Sequence, residues 1–195
     1  MLEMKKLKKN SVQTLTYSSL LIALGILIPL VMPVKIVIGP ASYTLASHVP
    51  VFLAMFVSPG VAVLVALGTA FGFFLTFPFI IGMRALSHVV FAFFGALYLS
   101  KRPQLVDTPK KMIAFNVGVA LVHAACETLI VTVFFMTGKL SAESYTSGFF
   151  VSVLLLVGVG GFIHSLIDYS IAFSIAQKIV MKFKFAVYIA AKEKH

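Results

Sequence analysis

Apolar residues run in long, nearly unbroken stretches along this chain, and polar residues collect in short clusters between them. The stretches predict helices about 20 residues long, the length needed to cross a hydrocarbon layer of about 30 Å. The first runs from Leu15 to Met32, a third from about Val61 to Ile80, a fourth from about Met83 to Leu99, a fifth from about Met112 to Met136 and a sixth from about Phe149 to Ile175. A second, short span from His48 to Val57 is closed by Ser-Pro-Gly. Ten residues do not cross alone, so this span is expected to begin within the preceding segment, VMPVKIVIGPASYTLAS. Two prolines, Gly39 and small polar residues make that segment a structured loop at the membrane surface rather than a helix. The expected fold class is an all-α integral membrane bundle of six transmembrane helices, built as a single domain over residues 1–195.

Composition agrees. The 195-residue chain is 60% hydrophobic and 11% charged, with a mean hydropathy of +1.04. No separate soluble domain fits beside six spans. The basic start, MLEMKKLKKN, is not followed by a small-residue cleavage site and a polar mature chain, so it reads as a cytoplasmic flank. Cys126 is the single cysteine and has no partner for an internal disulfide.

The net charge of +10 is explained by topology, and nucleic acid is not expected as a partner. Lys5, Lys6, Lys8 and Lys9 precede the first span. Lys101, Arg102, Lys110 and Lys111 separate the fourth from the fifth, and Lys178, Lys182, Lys184, Lys192 and Lys194 follow the sixth. Six crossings put all of these on one side, which the positive-inside rule makes cytoplasmic together with both termini. Four or seven crossings break the pattern. The expected location is the bacterial plasma membrane, as a multi-pass protein in the lipid bilayer.

Small residues mark close helix approach. Gly68 and Gly72 form a GxxxG spacing in the third span, Gly158, Gly160 and Gly161 fall in the sixth, and Ser19 and Ala23 leave a smooth face on the first. Such a spacing serves either packing inside one bundle or docking of a partner membrane protein. The chain shows no repeat and no inverted halves, which speaks mildly against a self-sufficient secondary transporter.

Candidate chemistry lies in three ionisable pairs at i,i+4 spacing, each on one helix face: Arg84 with His88, His123 with Glu127, and His164 with Asp168. His48 opens the second span. Ionisable groups at such depth carry a cost of about 2.5 kcal/mol or more, and they default to function. Counting along the spans groups Arg84, His88 and Glu127 near one membrane face, with His123, His164 and Asp168 in a deeper layer. Arg84 is then either the rim of a pocket or a side chain snorkelling to the surface. Four histidines suggest a transition metal, but their spread over several helices permits convergence without showing it, and HxxxH or CxxC spacing is absent. Neither metal nor cofactor is expected. Motifs of hydrolases, metallopeptidases and P-loop ATPases are absent too, so an enzyme is not expected.

Two segments, GPASYTLASHVPVFLAMFVSP (39–59) and RALSHVVFAFFGALYL (84–99), together with the short six-span plan, resemble the S components of energy-coupling factor (ECF) vitamin transporters, the niacin-specific type most of all. The resemblance implies a bundle that binds a small vitamin from outside the cell under loops following the first, third and fifth spans. It implies partners as well: a membrane coupling subunit, EcfT, docked on the small-residue face of the first helix, and two cytoplasmic ATPases. Here that face carries Ser19 and Ala23, where the family pattern has two alanines. A start of Met-Leu-Glu differs from the N-terminal histidine of metal-specific S-type proteins. For a nicotinate-like ligand, Arg84 would meet the carboxylate, His88 and Glu127 would add hydrogen bonds, and Tyr43 would stack on the ring. His123 and His48 complete the candidate binding set. An S component for pantothenate, pyridoxine or a pyrimidine, and a stand-alone ion-coupled transporter, remain as alternatives.

Overall fold

The structure, a computed structural model, describes residues 2–183 and 185–193, without the side chains of residues 2–11, 181 and 182. Lys5, Lys6, Lys8, Lys9, Lys182, Lys184 and Lys194, which carry much of the charge pattern, therefore fall outside the described residues or side chains. Five helical segments are long and apolar enough to cross a membrane: Val12–Val31, Pro59–Thr76, Phe79–Lys101, Pro109–Met136 and Phe150–Val180. The chain is a helical membrane protein.

Helix α1 spans Leu2–Val31, and two short strands follow, β1 Lys35–Ile38 and β2 Ala41–Thr44. Then come α2 Val49–Val57, α3 Pro59–Thr76, α4 Phe79–Lys101, α5 Pro109–Met136, the five-residue α6 Ala142–Thr146, α7 Gly161–Phe183 and α8 Ala186–Lys192. A π-helical stretch, Phe150–Gly160, leads directly into α7. The five apolar segments match the expected spans to within about five residues, while α1 itself starts well before its span, at Leu2, and α7 runs on to Phe183.

The second span differs from the other five. Helix α2 has nine residues, a rise of about 13.5 Å, less than half of a bilayer core. Eight of the nine are buried, as expected for a helix apolar on every side. It packs against α1, α3, α4 and α7, with Phe52 meeting Phe91 and Tyr169. The strands before it form an antiparallel hairpin, with Lys35 opposite Thr44 and Ile38 opposite Ala41. Gly39, at φ +53°, makes the turn with Pro40. The structured loop expected here is a two-stranded hairpin, set in a bundle that is helical as expected. Val-Ile alternation around a Gly-Pro turn is strand chemistry.

Side chains of a hairpin alternate between its faces. Lys35, Ser42 and Thr44 face a cavity, whereas Ala41 packs with Val131, Val153 and Val157 on the other side. The small residues of α3 serve internal packing. A Cβ at Gly68 would stand 2.6 Å from Ile22 Cδ1, and Gly72 faces Ile26 in the same way, so α1 seats directly on α3. The buried side of α1 steps through Ser18, Leu21, Gly25 and Pro29, leaving Ser19 and Ala23 exposed.

Candidate functional site

The N-terminal end of α2 stops in the middle of the bundle, and the polar side chains gather there. Asp168 on α7 holds that end. Its Oδ1 accepts from the backbone N–H of Ala46 at 2.8 Å, and its Oδ2 accepts from the N–H of His48 at 2.9 Å. His48 Nδ1 lies 3.0 Å from the same Oδ2, and the Ser47 hydroxyl donates to it at 3.4 Å. A carboxylate at a helix N-terminus satisfies free amides and meets the positive end of the dipole. It also fixes Ala46 at φ 65°, a left-handed conformation that is uncommon for a residue with a Cβ. His164 stands one turn before Asp168, its Nε2 3.2 Å from the Ser47 hydroxyl.

Arg84 and Glu127 form the second focus. Arg84, on α4, is 6% exposed, so snorkelling is ruled out. Its Nη2 donates to Glu127 Oε2 at 2.9 Å and its Nη1 to the carbonyl of Pro40 at 2.9 Å, tying α4 to α5 and to the hairpin turn. Glu127 Oε1 lies 3.2 Å from His88 Nε2, which lies 3.2 Å from His123 Nε2.

His48 joins the two foci. Its ring is 4.8 Å from that of His88, 4.6 Å from His123 and 5.0 Å from His164, edge-on in each case. The expected separation into an outer and a deeper layer is thus corrected. His123 belongs with His88 and Glu127, because α2 brings His48 to a level that all four helices share.

Above this cluster lies a cavity of about 80 Å³. At roughly 15 Å³ of such space per water, it has room for about five waters or one single-ring solute. Arg84, His88, Glu127 and His48 line it, with Phe73 and Phe77 as apolar walls and Thr69 beside them. Arg84 Nε is buried in this wall without a hydrogen-bond partner among the described residues. Buried polar atoms are normally paired, so this N–H keeps its hydrogen-bonding capacity unspent, whereas the unpaired Thr69 Oγ1 packs against Gly25 of α1. Lys35 stands at the mouth, its ammonium 5.6 Å from the Phe77 ring centre.

Tyr43 is placed differently from the rest of the expected set. Its hydroxyl donates to the carbonyl of Leu156 in the π-helical stretch, and its ring lies 5.7 Å from that of His164. Gly160 leaves the space that the ring tip occupies. The cavity-lining Lys35, Ser42, Thr44, Phe73 and Phe77 were not singled out by sequence. The strand alternation in the loop was the available signal for the first three.

The fold is that of a helical membrane bundle with a small cavity among its helices, walled by one guanidinium and two imidazoles. The chain is 41% identical over 191 residues to the niacin transporter NiaX of Lactococcus lactis subsp. cremoris (strain MG1363), covering 97% of this chain and 85% of that protein. It belongs to the NiaX family. No family model matches the chain, and no solved structure does.

Proposed function

We propose that this chain is the substrate-binding S component of an ECF-type vitamin importer and that its substrate is nicotinate or a close pyridine relative. Kinship to a niacin transporter supports the substrate class. The observation that carries the site assignment is Arg84, buried in the cavity wall with Nε–H unengaged. Both Nη atoms are engaged, and the remaining N–H of a cationic guanidinium is suited to one carboxylate oxygen. Phe73 and Phe77 supply the flat apolar walls that an aromatic ring needs, and Lys35 draws an anion to the mouth. His48, His88 and Glu127 remain for the polar edge of the ring.

In this reading the hairpin and α2 together make the second crossing, giving six in all. Both termini are then cytoplasmic, and the cavity opens outward in the plasma membrane. The role is transport without catalysis. Uphill movement requires an ATP-driven partner module, and the exposed Ser19 and Ala23 on α1 offer its coupling subunit a smooth docking face.

Titration of the purified protein with nicotinate and nicotinamide tests the substrate. Nicotinate should bind more tightly, and Arg84→Ala should weaken it at least about tenfold, or about 1.4 kcal/mol. Equal affinity for acid and amide would remove Arg84 from carboxylate recognition. Ser19→Trp or Ala23→Trp should reduce uptake in cells carrying the whole transporter while leaving binding unchanged. Uptake by the chain reconstituted alone would refute the partner-dependent reading.

A further inference from the structure

Three ligand-type atoms meet at spacings that suit a metal ion, two of them on residues that line the cavity, His88 and Glu127, and the third on His123 behind them. His88 Nε2 is 3.2 Å from His123 Nε2 and 3.2 Å from Glu127 Oε1, and His123 Nε2 is 3.6 Å from that same oxygen. Nitrogen and oxygen ligands about 2.05 Å from a tetrahedral ion stand about 3.3 Å apart. The observed triangle brackets that value. Protons alone serve it poorly: His88 Nε2 carries at most one hydrogen, and the 3.6 Å edge is too long for a hydrogen bond. One ion above the triangle would engage all three atoms.

We propose that His88, His123 and Glu127 hold a divalent transition-metal ion of the zinc class, with His48 facing the fourth coordination position. The four residues offer ligand atoms that all lie within 4.8 Å of one another. Imidazole with one carboxylate suits zinc, cobalt or nickel, whereas magnesium and calcium favour all-oxygen sites. The outer shell is present for two of the four residues, while His123 Nδ1 has no partner among the described residues. Arg84 orients the second oxygen of Glu127, and Asp168 engages Nδ1 of His48, leaving Nε2 as its available ligand atom. Such carboxylate–histidine contacts are a regular support of metal ligands. His123 and Glu127 supply the i,i+4 chelate from one face of α5, the spacing that two histidines would have given.

Charge balance points the same way. With the histidines counted as neutral imidazoles, the buried polar group holds one cation, Arg84, paired with Glu127, and a second carboxylate, Asp168, bound to the 46–48 segment, while Lys35 is exposed at the mouth. That buried group is negative by one charge, and an entering monoanion would double the excess. A divalent ion reverses it to positive by one, and a monocarboxylate then neutralises the site. Burying net charge is costly, so the ion makes this cavity receptive to an anion. The ion would take the side chains assigned above to the polar edge of the ring, so that edge would meet the ion in their place; the triangle itself exists whatever solute enters.

The test uses tag-free full-length protein in detergent, stripped with a chelator and titrated with Co2+ alone and with Zn2+ alone. One Co2+ per chain with intense tetrahedral-type visible absorption, displaced by Zn2+, is expected. His88→Gln, His123→Gln and Glu127→Gln should each weaken Co2+ binding by about 100-fold, and Cys126→Ser should leave it unchanged. X-ray absorption on the Co2+-loaded wild type should show at least two imidazoles, a readout that needs no variant to fold. Failure to bind Co2+ or Zn2+ stoichiometrically would overturn the proposal. So would an all-oxygen shell, or variants that bind as tightly as wild type. Nicotinate affinity, measured apart, tests the vitamin reading and leaves the metal result to stand on its own.

Discussion

Glu127 and Asp168 look alike in the sequence. Each follows a histidine by four residues on a long apolar helix, and each is buried, at 4% and 0% exposure. Their surroundings differ. Asp168 accepts from two backbone amides, a hydroxyl and an imidazole, all from the segment 46–48. Its hydrogen-bonding capacity is filled, and it serves as a clamp on the chain reversal that starts α2. Glu127 faces Arg84 and two histidines, all of them side chains, and lines the cavity. The same spacing thus yields a fastening at one place and an adaptable site at the other. The partners brought by other elements decide which.

Removing the clamp should have the largest effect. Asp168→Ala orphans two buried amides and releases Ala46 from its left-handed conformation. A loss of about 3–5 kcal/mol, read as a large drop in thermal stability in detergent, is expected. A near-native melting temperature would erase the distinction between the two carboxylates. Arg84→Ala should come next. It leaves Glu127 buried without its cation, lowers stability by a smaller amount because the histidines remain, and weakens nicotinate binding in the same preparation.

A paired substitution sharpens the contrast. Arg84→Met with Glu127→Leu removes both charges, and replacing a buried ion pair by apolar groups is often neutral or stabilising. The double variant should recover much of the stability lost in Arg84→Ala while showing no nicotinate binding. No equivalent rescue exists for Asp168, since two of its donors belong to the backbone. The smallest effect is expected from Tyr43→Phe. It removes one hydrogen bond to Leu156, about 1 kcal/mol, and should leave nicotinate affinity unchanged because that hydroxyl points away from the cavity.

Much of the scaffold was legible in the sequence, because hydropathy and helix length answer to the same bilayer thickness. The five long helices fall where the apolar runs put them, and Arg84, His88 and Glu127 share a site as their depths implied. The hairpin is less legible: KIVI before Gly-Pro carries the strand pattern, but prolines and a glycine break a helix without dictating what replaces it. The meeting of His48 with His88, His123 and His164 was not legible either. It depends on a nine-residue helix ending in the middle of the bundle, and no local pattern encodes where that end lies. Gly68 and Gly72 show the same limit: their spacing announces close contact, and only the structure shows that the contact is α1.

Helix α2 has a consequence for how the protein is made. Segments of 18 residues or more can leave the translocation channel sideways and enter lipid as independent units. Nine residues cannot, and hairpin backbone is not tolerated in bare hydrocarbon. If residues 35–57 form the second of six crossings, they are expected to enter only after α3, α4 and α7 have gathered into a slot that accepts them. The site is completed when that slot fills, so the last segment to arrive is the one that carries His48 into place.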